Sequence, residues 1–368
     1  MNTDQIIAAV CAQLAGSAST APLSARAHDT ARALMPLGTD TEIDIVASGA
    51  VAHIQGLGPL QRFLADPLVN EIMVNNGGDV WIERNGSIAL AGRLDSDVAP
   101  RLIERILGPL GRRLDRLSPI VDARLADGSR VCAVIPPIAI DGPCLTLRRF
   151  GAQPRVVPDF ATIEMTALLV EIVTARCNVL ISGATSSGKT SLLNALAGHI
   201  DANERIITLE DTAELRLDAP HVLRLETRPA TVDGTAAVTM TDLVRASLRL
   251  RPDRLVVGEI RGAEVIDMLG AMNTGHDGSL TTCHANGPLD ALRRIESLLT
   301  QHSPTWPLHA VRDTVRSSID VIVHVARAPT GERAVDCVVE LARPDCETPH
   351  RELAACGRPI AALQRRRR

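Results

Sequence analysis

The 368-residue chain contains no tyrosine, three phenylalanines and two tryptophans, so aromatic residues make up 1% of it. Its core must therefore be assembled from Leu, Ile, Val and Ala, which a chain of this length has enough surface to bury. The shortage of aromatics, with a formal net charge of −4, also tells against binding of single-stranded nucleic acid, which combines a basic groove with stacking platforms. The cysteines at 11, 132, 144, 177, 283, 337, 346 and 356 form no Cys-x-x-Cys pair, which argues against a structural zinc site or a disulfide framework. Scattered thiols fit a reducing compartment. No apolar run reaches the ~18 residues of a membrane span, because Glu171 and Arg176 interrupt the best candidate near Leu168. Met1 to Leu14 carries Asp4 and lacks the basic region of an export signal. The expectation is a cytoplasmic protein. Lysine is almost missing as well. Of 39 basic residues, 38 are arginine, and the one lysine is Lys189.

What is present reads as globular, with 45% hydrophobic and 22% charged residues. The length suggests about two or three domains. Residues 1–55 read as a helical extension, interrupted by the small-residue stretch Gly16–Thr20. Residues 56–150 read as a small α+β domain. It has a short helix near Leu60–Leu64, a strand at Glu71–Val74, a turn at Asn75–Gly78 and a strand at Asp79–Arg84. A helix is expected over Pro100–Leu117, followed by strands around VDARLADGSRV, CAVIPPIAI and CLTLRRF. GAQPRVVPDF, residues 151–160, has the composition of a linker. From 161 to 345, apolar strands at 177–182, 205–210 and 254–259 alternate with helical stretches at 189–198 and 241–250, the pattern of a mostly parallel α/β sheet. Residues 346–368 end in Arg365–Arg368 and read as a basic tail, with contact to an anionic membrane surface as one use.

Chemistry concentrates at residues 183–190. Gly183-Ala184-Thr185-Ser186-Ser187-Gly188-Lys189-Thr190 matches G-x-x-x-x-G-K-[ST], follows the apolar strand CNVLIS and opens the helix TSLLNALAG, with Ser191 in its first turn. Such a loop turns successive N–H groups toward phosphate oxygens, and the helix N-terminus adds positive charge. Lys189 would reach the β- and γ-phosphates of ATP, and Thr190 would complete the shell of Mg²⁺. A second requirement is carboxylates at strand ends. RIITLEDTAEL offers Glu210 and Asp211, and RPDRLVVGEIRG offers Glu259. In a parallel sheet these ends share one edge with the phosphate loop. TGHDGSLTTCHANGP adds His276 and His284, either of which by spacing alone reads as a structural hydrogen-bonder.

The strings NVLISGATSSGKTSLLNAL, ITLEDTAEL, LRLRPDRLVVGEIRG and MNTGHDGSLTTCHAN resemble the type II/type IV secretion-system ATPases, and within them the Tad/Flp pilus-assembly branch. ADPLVNEIMVN, VDARLADGSRV and GPCLTLRRF extend the resemblance upstream, so that it covers roughly residues 56–345. It implies an α/β, RecA-like P-loop motor domain with a smaller N-terminal α+β, PAS-like domain. It also implies a Mg²⁺-dependent ATPase, a homo-hexameric ring, and work on an inner-membrane platform protein. By resemblance, Glu210 activates water, Asp211 belongs to the same acidic box, Glu259 is the Walker B acid near Mg²⁺, and His284 is the histidine-box residue. Arg124, Arg130, Arg148 and Arg149 are the candidates for arginines that close on the nucleotide, a role suited to guanidinium groups. The absence of a four-cysteine insertion separates this chain from many pilus-extension and type II relatives. Two other readings compete: a RecA-like motor on nucleic acid, as in conjugation or competence, and a scaffold that binds ATP without hydrolysing it. Low aromatic content and negative charge count against the first, and the retained Glu210 and Glu259 against the second.

Overall fold

The computed structural model describes residues 3–15, 21–84, 86–110, 112–125, 127–149, 155–230, 234–328, 330–344, 346 and 349–365. The chain divides into two compact units, Met1–Ala152 and Gln153–Arg368.

The first unit opens with helices α1 (Thr3–Ala15), α2 (Leu23–Leu34) and α3 (Asp40–Gln55). They bury their own small core of Val10, Leu14, Ala27, Ala31, Ile43, Val46, Ala47 and Ala50. Thr39 starts α3 with a reciprocal cap, accepting from the Glu42 N–H while the Glu42 side chain accepts from the Thr39 N–H. Next come α4 (Gln61–Ala65), β1 (Val69–Asn75), β2 (Asp79–Arg84), β3 (Ser87–Arg93), α5 (Val98–Leu107), β4 (Ile120–Arg124), β5 (Arg130–Val134) and β6 (Cys144–Arg148). The strands pair antiparallel in the order β3-β2-β1-β6-β5-β4. One face of this sheet packs Ile72, Val74, Val131, Leu145 and Leu147 against Leu102, Ile103, Ile106 and Leu107 of α5. The helix expected over Pro100–Leu117 ends at Leu107, with a tighter turn at Gly108–Leu110. Pro109 lacks the N–H that would bond the Arg105 carbonyl, so the α-helical ladder stops there. Strand β3 carried no strong alternation signal, and its side chains are mostly exposed.

The second unit runs α6 (Ile163–Thr174), β7 (Val179–Gly183), α7 (Lys189–Ala197), β8 (Ile206–Glu210), β9 (Val222–Glu226), α8 (Met240–Ser247), β10 (Arg254–Val257), α9 (Glu264–Asn273), β11 (Leu280–His284), α10 (Pro288–His302), α11 (Leu308–Ser318), β12 (Val321–Arg327), β13 (Arg333–Leu341), β14 (His350–Ala355) and β15 (Arg358–Pro359). The sheet order is β15-β14-β13-β12-β7-β11-β10-β8-β9. Pairing is parallel from β12 to β9 and antiparallel from β12 to β15. Alternate residues of β7 feed opposite cores: Val179 and Ile181 pack with α6 and α7, while Leu180 packs with α8, α9 and α10. A strand covered on both faces needs an unbroken apolar run, and each such side chain contributes about 1.5–3 kcal/mol when fully buried. Among the described residues no helix is long and apolar enough to cross a membrane.

Two stretches differ from their compositional reading. Within the linker expected at 151–160, residues 151–154 lie outside the described residues, but Val157 and Phe160 are fully buried in the core of the second unit. The tail expected at 346–368 instead supplies β14 and β15, whose Leu353 and Ala354 are core residues. The charges that made it look like a tail are partnered. Arg351 pairs with buried Glu340, which also accepts the Gln364 N–H at 2.9 Å. Arg365 pairs with fully buried Asp320 and donates to the carbonyls of Arg316 (2.9 Å), Leu341 (3.0 Å) and Ile319 (3.1 Å). Residues 366–368 lie outside the described residues.

Candidate active site

The loop between β7 and α7 is built as its sequence requires. Ser186 and Gly188 are both left-handed, with φ of 59° and 99°. A Cβ at Gly183 would lie 2.5 Å from both the Ser187 hydroxyl and the Val325 carbonyl oxygen. One at Gly188 would lie 2.9 Å from Cδ of Arg333 and 3.2 Å from the Phe160 ring. Both glycines are therefore demanded by space, and Gly188 by backbone conformation too. Ser187 is buried, and its hydroxyl has no hydrogen-bond partner among the described residues. Such an orphan in a turn of this shape, at the mouth of the nine-residue helix α7, is the donor set that a polyphosphate satisfies.

Lys189 is the first residue of α7 and 6% exposed. Its ammonium has three N–H groups and three acceptors: the Ala184 carbonyl at 2.9 Å, the Gly183 carbonyl at 3.0 Å and Nδ1 of His284 at 3.1 Å. Burial holds its pKa below the usual lysine value, while Glu259 works in the opposite direction. An ammonium can only donate, so Nδ1 of His284 is the acceptor and Nε2 carries the proton. Nε2 lies 3.3 Å from Oε1 of Glu259. The imidazole is thus a neutral bridge between a cation and a carboxylate, and burial lowers its pKa accordingly.

The chain of contacts continues. Oε2 of Glu259 accepts from Arg261 at 2.7 Å, and Arg261 also stands 3.8 Å from Oδ2 of Asp211. Lys189, His284, Glu259, Arg261 and Asp211 lie at the carboxyl ends of β7, β11, β10 and β8, and the contacts follow the order of strands in the sheet. Glu210, the last residue of β8, is 2% exposed. Its Oε2 accepts the N–H groups of Glu214 (2.6 Å) and Leu215 (2.8 Å), whereas Oε1 is buried without a hydrogen-bond partner among the described residues. Burial raises its pKa, and the two N–H groups oppose that rise. A carboxylate oxygen left open beside the Gly258–Glu259 turn can accept a proton or orient a water. Thr190 and Ser191 follow Lys189 in the first turn of α7.

His276 is not part of this assembly. It precedes β11, at the opposite end of the strand from His284, and its Nδ1 lies 3.2 Å from the Ala271 carbonyl. In the first unit Arg124, Arg130 and Arg148 stand directly opposite one another across β4, β5 and β6, and the row continues into Glu71 and Glu83. Directly opposed residues share a face, so the three arginines form one cationic strip. Arg149 does not join it, because its guanidinium donates to the main-chain carbonyls of Asp66 and Val69. Sequence reasoning missed Arg261. Its one available signal was position, two residues after the acid of the GEIRG string.

A parallel sheet carrying a phosphate loop on its central strand, with acids on the neighbouring strand ends, defines a RecA-like P-loop ATPase. Residues 53–364 match the family described as Type II/IV secretion system protein, and the chain belongs to that family. Among its relatives, a Mycobacterium tuberculosis protein named for conjugal transfer is 37% identical over 310 residues, covering 80% of this chain and 87% of the relative. The type IV secretion system protein PtlH of Bordetella pertussis is 35% identical over 323 residues, covering 78% and 93%. The solved structure of the Legionella pneumophila ATPase DotB matches with a TM-score of 0.54 at 22% identity, over 75% of this chain and 78% of that one, a likeness of fold.

Proposed function

We propose that this chain hydrolyses ATP as a subunit of a homo-hexameric ring on the cytoplasmic face of the inner membrane. There it drives a membrane-embedded platform protein that assembles a pilus or exports macromolecules. The observation that carries the reading is the contact chain from Lys189 through His284 to Glu259 at the edge of the phosphate loop. Lys189 exchanges its carbonyl and imidazole contacts for β- and γ-phosphate oxygens. The backbone of residues 184–188, Ser187 and the N-terminus of α7 bind the remaining phosphate charge. Thr190 and Glu259 would hold Mg²⁺, which neutralises charge on the phosphates when bound. Glu210 uses its open Oε1 to orient and deprotonate the attacking water. His284 registers the change at Lys189 and passes it to Glu259 and the β10–α9 turn. The strip of Arg124, Arg130 and Arg148 is the proposed source of further cations for the γ-phosphate, as guanidinium groups suit its spreading charge.

The motif strings support a machine of the Tad/Flp pilus kind, and the names of the curated relatives support conjugation or type IV secretion; all are export machines. The test is phosphate release by the purified full chain against a Lys189→Ala control, alone, with anionic vesicles and with single-stranded DNA. Turnover above the control, raised by vesicles, is expected. Turnover no higher than the control sinks the ATPase reading, and DNA-dependent turnover replaces the export platform with nucleic acid as the partner.

A further inference from the structure

Arg261 is the one member of the strand-end network with no assigned part. It sits in the turn Glu259–Glu264 that joins β10 to α9, and two features fix that turn. Glu264, buried, accepts the N–H groups of Arg261 (2.6 Å) and Gly262 (2.8 Å) with a single oxygen, so the first residue of α9 reaches back and fixes the backbone of the turn before it. Ile260 anchors the turn from the other side, buried itself and donating its N–H to the Thr282 carbonyl of β11 at 2.9 Å. On this rigid support the guanidinium reaches back over its own strand. One nitrogen lies 2.7 Å from Oε2 of Glu259, and another lies 3.8 Å from Oδ2 of Asp211.

The consequence concerns Glu259. A carboxylate on a short strand end can rotate, and its two oxygens are interchangeable. Here Oε1 faces the proton on Nε2 of His284, while Oε2 faces Arg261. Opposed donors on the two oxygens hold the carboxyl plane in one orientation, and that orientation aligns His284 with Lys189. Without the guanidinium, Glu259 would keep only the weaker, neutral donor, and Asp211 would become an unscreened like charge nearby.

We propose that Arg261 is a positioning residue. It clamps Glu259 from the side opposite His284 and ties it to Asp211, so that the carboxylate, the imidazole and Lys189 keep one geometry. The assignment rests on the ATPase reading of the site. A planar fork can serve two carboxylates at once, which a point charge does less well.

The test uses the full-length chain with Arg261→Gln, Arg261→Lys, Asp211→Asn and the Arg261→Gln/Asp211→Asn double variant. Three readouts are taken: kcat and KM for ATP, equilibrium affinity for a fluorescent ATP analogue, and the ¹⁵N shifts of histidine in selectively labelled, nucleotide-free protein. His284→Asn assigns the His284 signals. Arg261→Gln is expected to lower kcat at least tenfold while analogue affinity stays within threefold. It is also expected to change the His284 shifts from one tautomer toward a mixture. Arg261→Lys should recover part of the rate, and Asp211→Asn should have less effect in the Arg261→Gln background than alone. The proposal is overturned if Arg261→Gln keeps kcat within twofold, if analogue affinity falls as far as kcat, or if the His284 shifts do not move. Should Arg261→Gln not fold, the same criteria apply to Arg261→Lys, with a threefold loss of kcat as the threshold. Absence of turnover in the unaltered chain would refute the ATPase reading instead, and the histidine shifts would still decide the clamp.

Discussion

Replacing Gly188 by alanine tests the phosphate loop at its tightest point. Two costs can be worked out separately. Alanine at a φ of 99° costs about 1–2 kcal/mol, the penalty of left-handed backbone for a residue with a Cβ. The new carbon would also stand 2.9 Å from Cδ of Arg333 and 3.2 Å from the Phe160 ring. The arginine is a flexible chain that can move aside. Phe160 is 1% exposed and locked in the core, so the second contact is relieved by shifting the loop, at roughly 1–3 kcal/mol for overpacking. The sum is about 2–5 kcal/mol. If it is met by distorting the loop, affinity for an ATP analogue falls at least ~30-fold, since 1.4 kcal/mol is about a factor of ten. Equilibrium titration with a fluorescent analogue measures this, with a thermal melt to confirm folding. Adding Arg333→Ala to Gly188→Ala removes the softer contact alone and should recover at most about tenfold. Affinity within threefold of the unaltered chain, or full recovery by Arg333→Ala, would refute the argument from backbone and ring.

Further outcomes follow from the structure. Lys189→Arg should lose nucleotide binding nearly as completely as Lys189→Ala, because a planar fork cannot replace an ammonium that satisfies three convergent acceptors. A lysine-directed reagent, with Lys189 as the chain's one lysine side chain, should be blocked by ATP. Glu210→Gln should keep analogue affinity and reduce turnover at least ~100-fold. Because burial raises the folded-state pKa of Glu210, its ionised form costs stability at neutral pH. That cost fades as pH falls from above the raised value toward the ordinary 4.5, so thermal melts of Glu210→Gln should lack this slope and run higher at pH 8. Deleting residues 362–368 removes Arg365 from buried Asp320 and Leu363 from the core. An uncompensated buried carboxylate costs about 3–5 kcal/mol, which for a unit of this size lowers the melting temperature by roughly 6–20 °C. A melt shifted by less than 2 °C would show that the C-terminal segment is a tail after all.

What the amino-acid sequence determined by itself was local. Gly183 and Gly188 frame a loop whose spacing, preceding apolar strand and following helix leave little freedom. Lys189 is legible because arginine fills almost every other basic position. The apolar runs of β7, β8 and β10 were equally plain, since strands covered on both faces carry an unbroken signal. Partial signals failed where charge and apolar residues mix. The stretch 350–365 carries enough arginine to pass for a tail until Glu340 in β13 and Asp320 just before β12 supply buried partners for Arg351 and Arg365. The position of Phe160 under the loop was likewise hidden, because a proline-rich approach looks like a linker whatever its last residue packs against.

The assembly of the site was decided by tertiary structure alone. In the chain the site residues come in the order Lys189, Glu210 and Asp211, Glu259, His284. In the sheet their strands stand in the order β7, β11, β10, β8. Insertion of β11 between β7 and β10 puts the last of these residues beside the first, so His284 can join Lys189 to Glu259. The same order leaves Asp211 next to Arg261, with β11 and β10 between its strand and that of the loop. Spacing along the chain contains no information about which strand slides between which. That choice is made by the crossover connections, through the helices that cover both faces of the sheet, and it made His284, a histidine that by spacing alone read as ordinary and that only the family resemblance singled out, the link between the phosphate loop and its carboxylates.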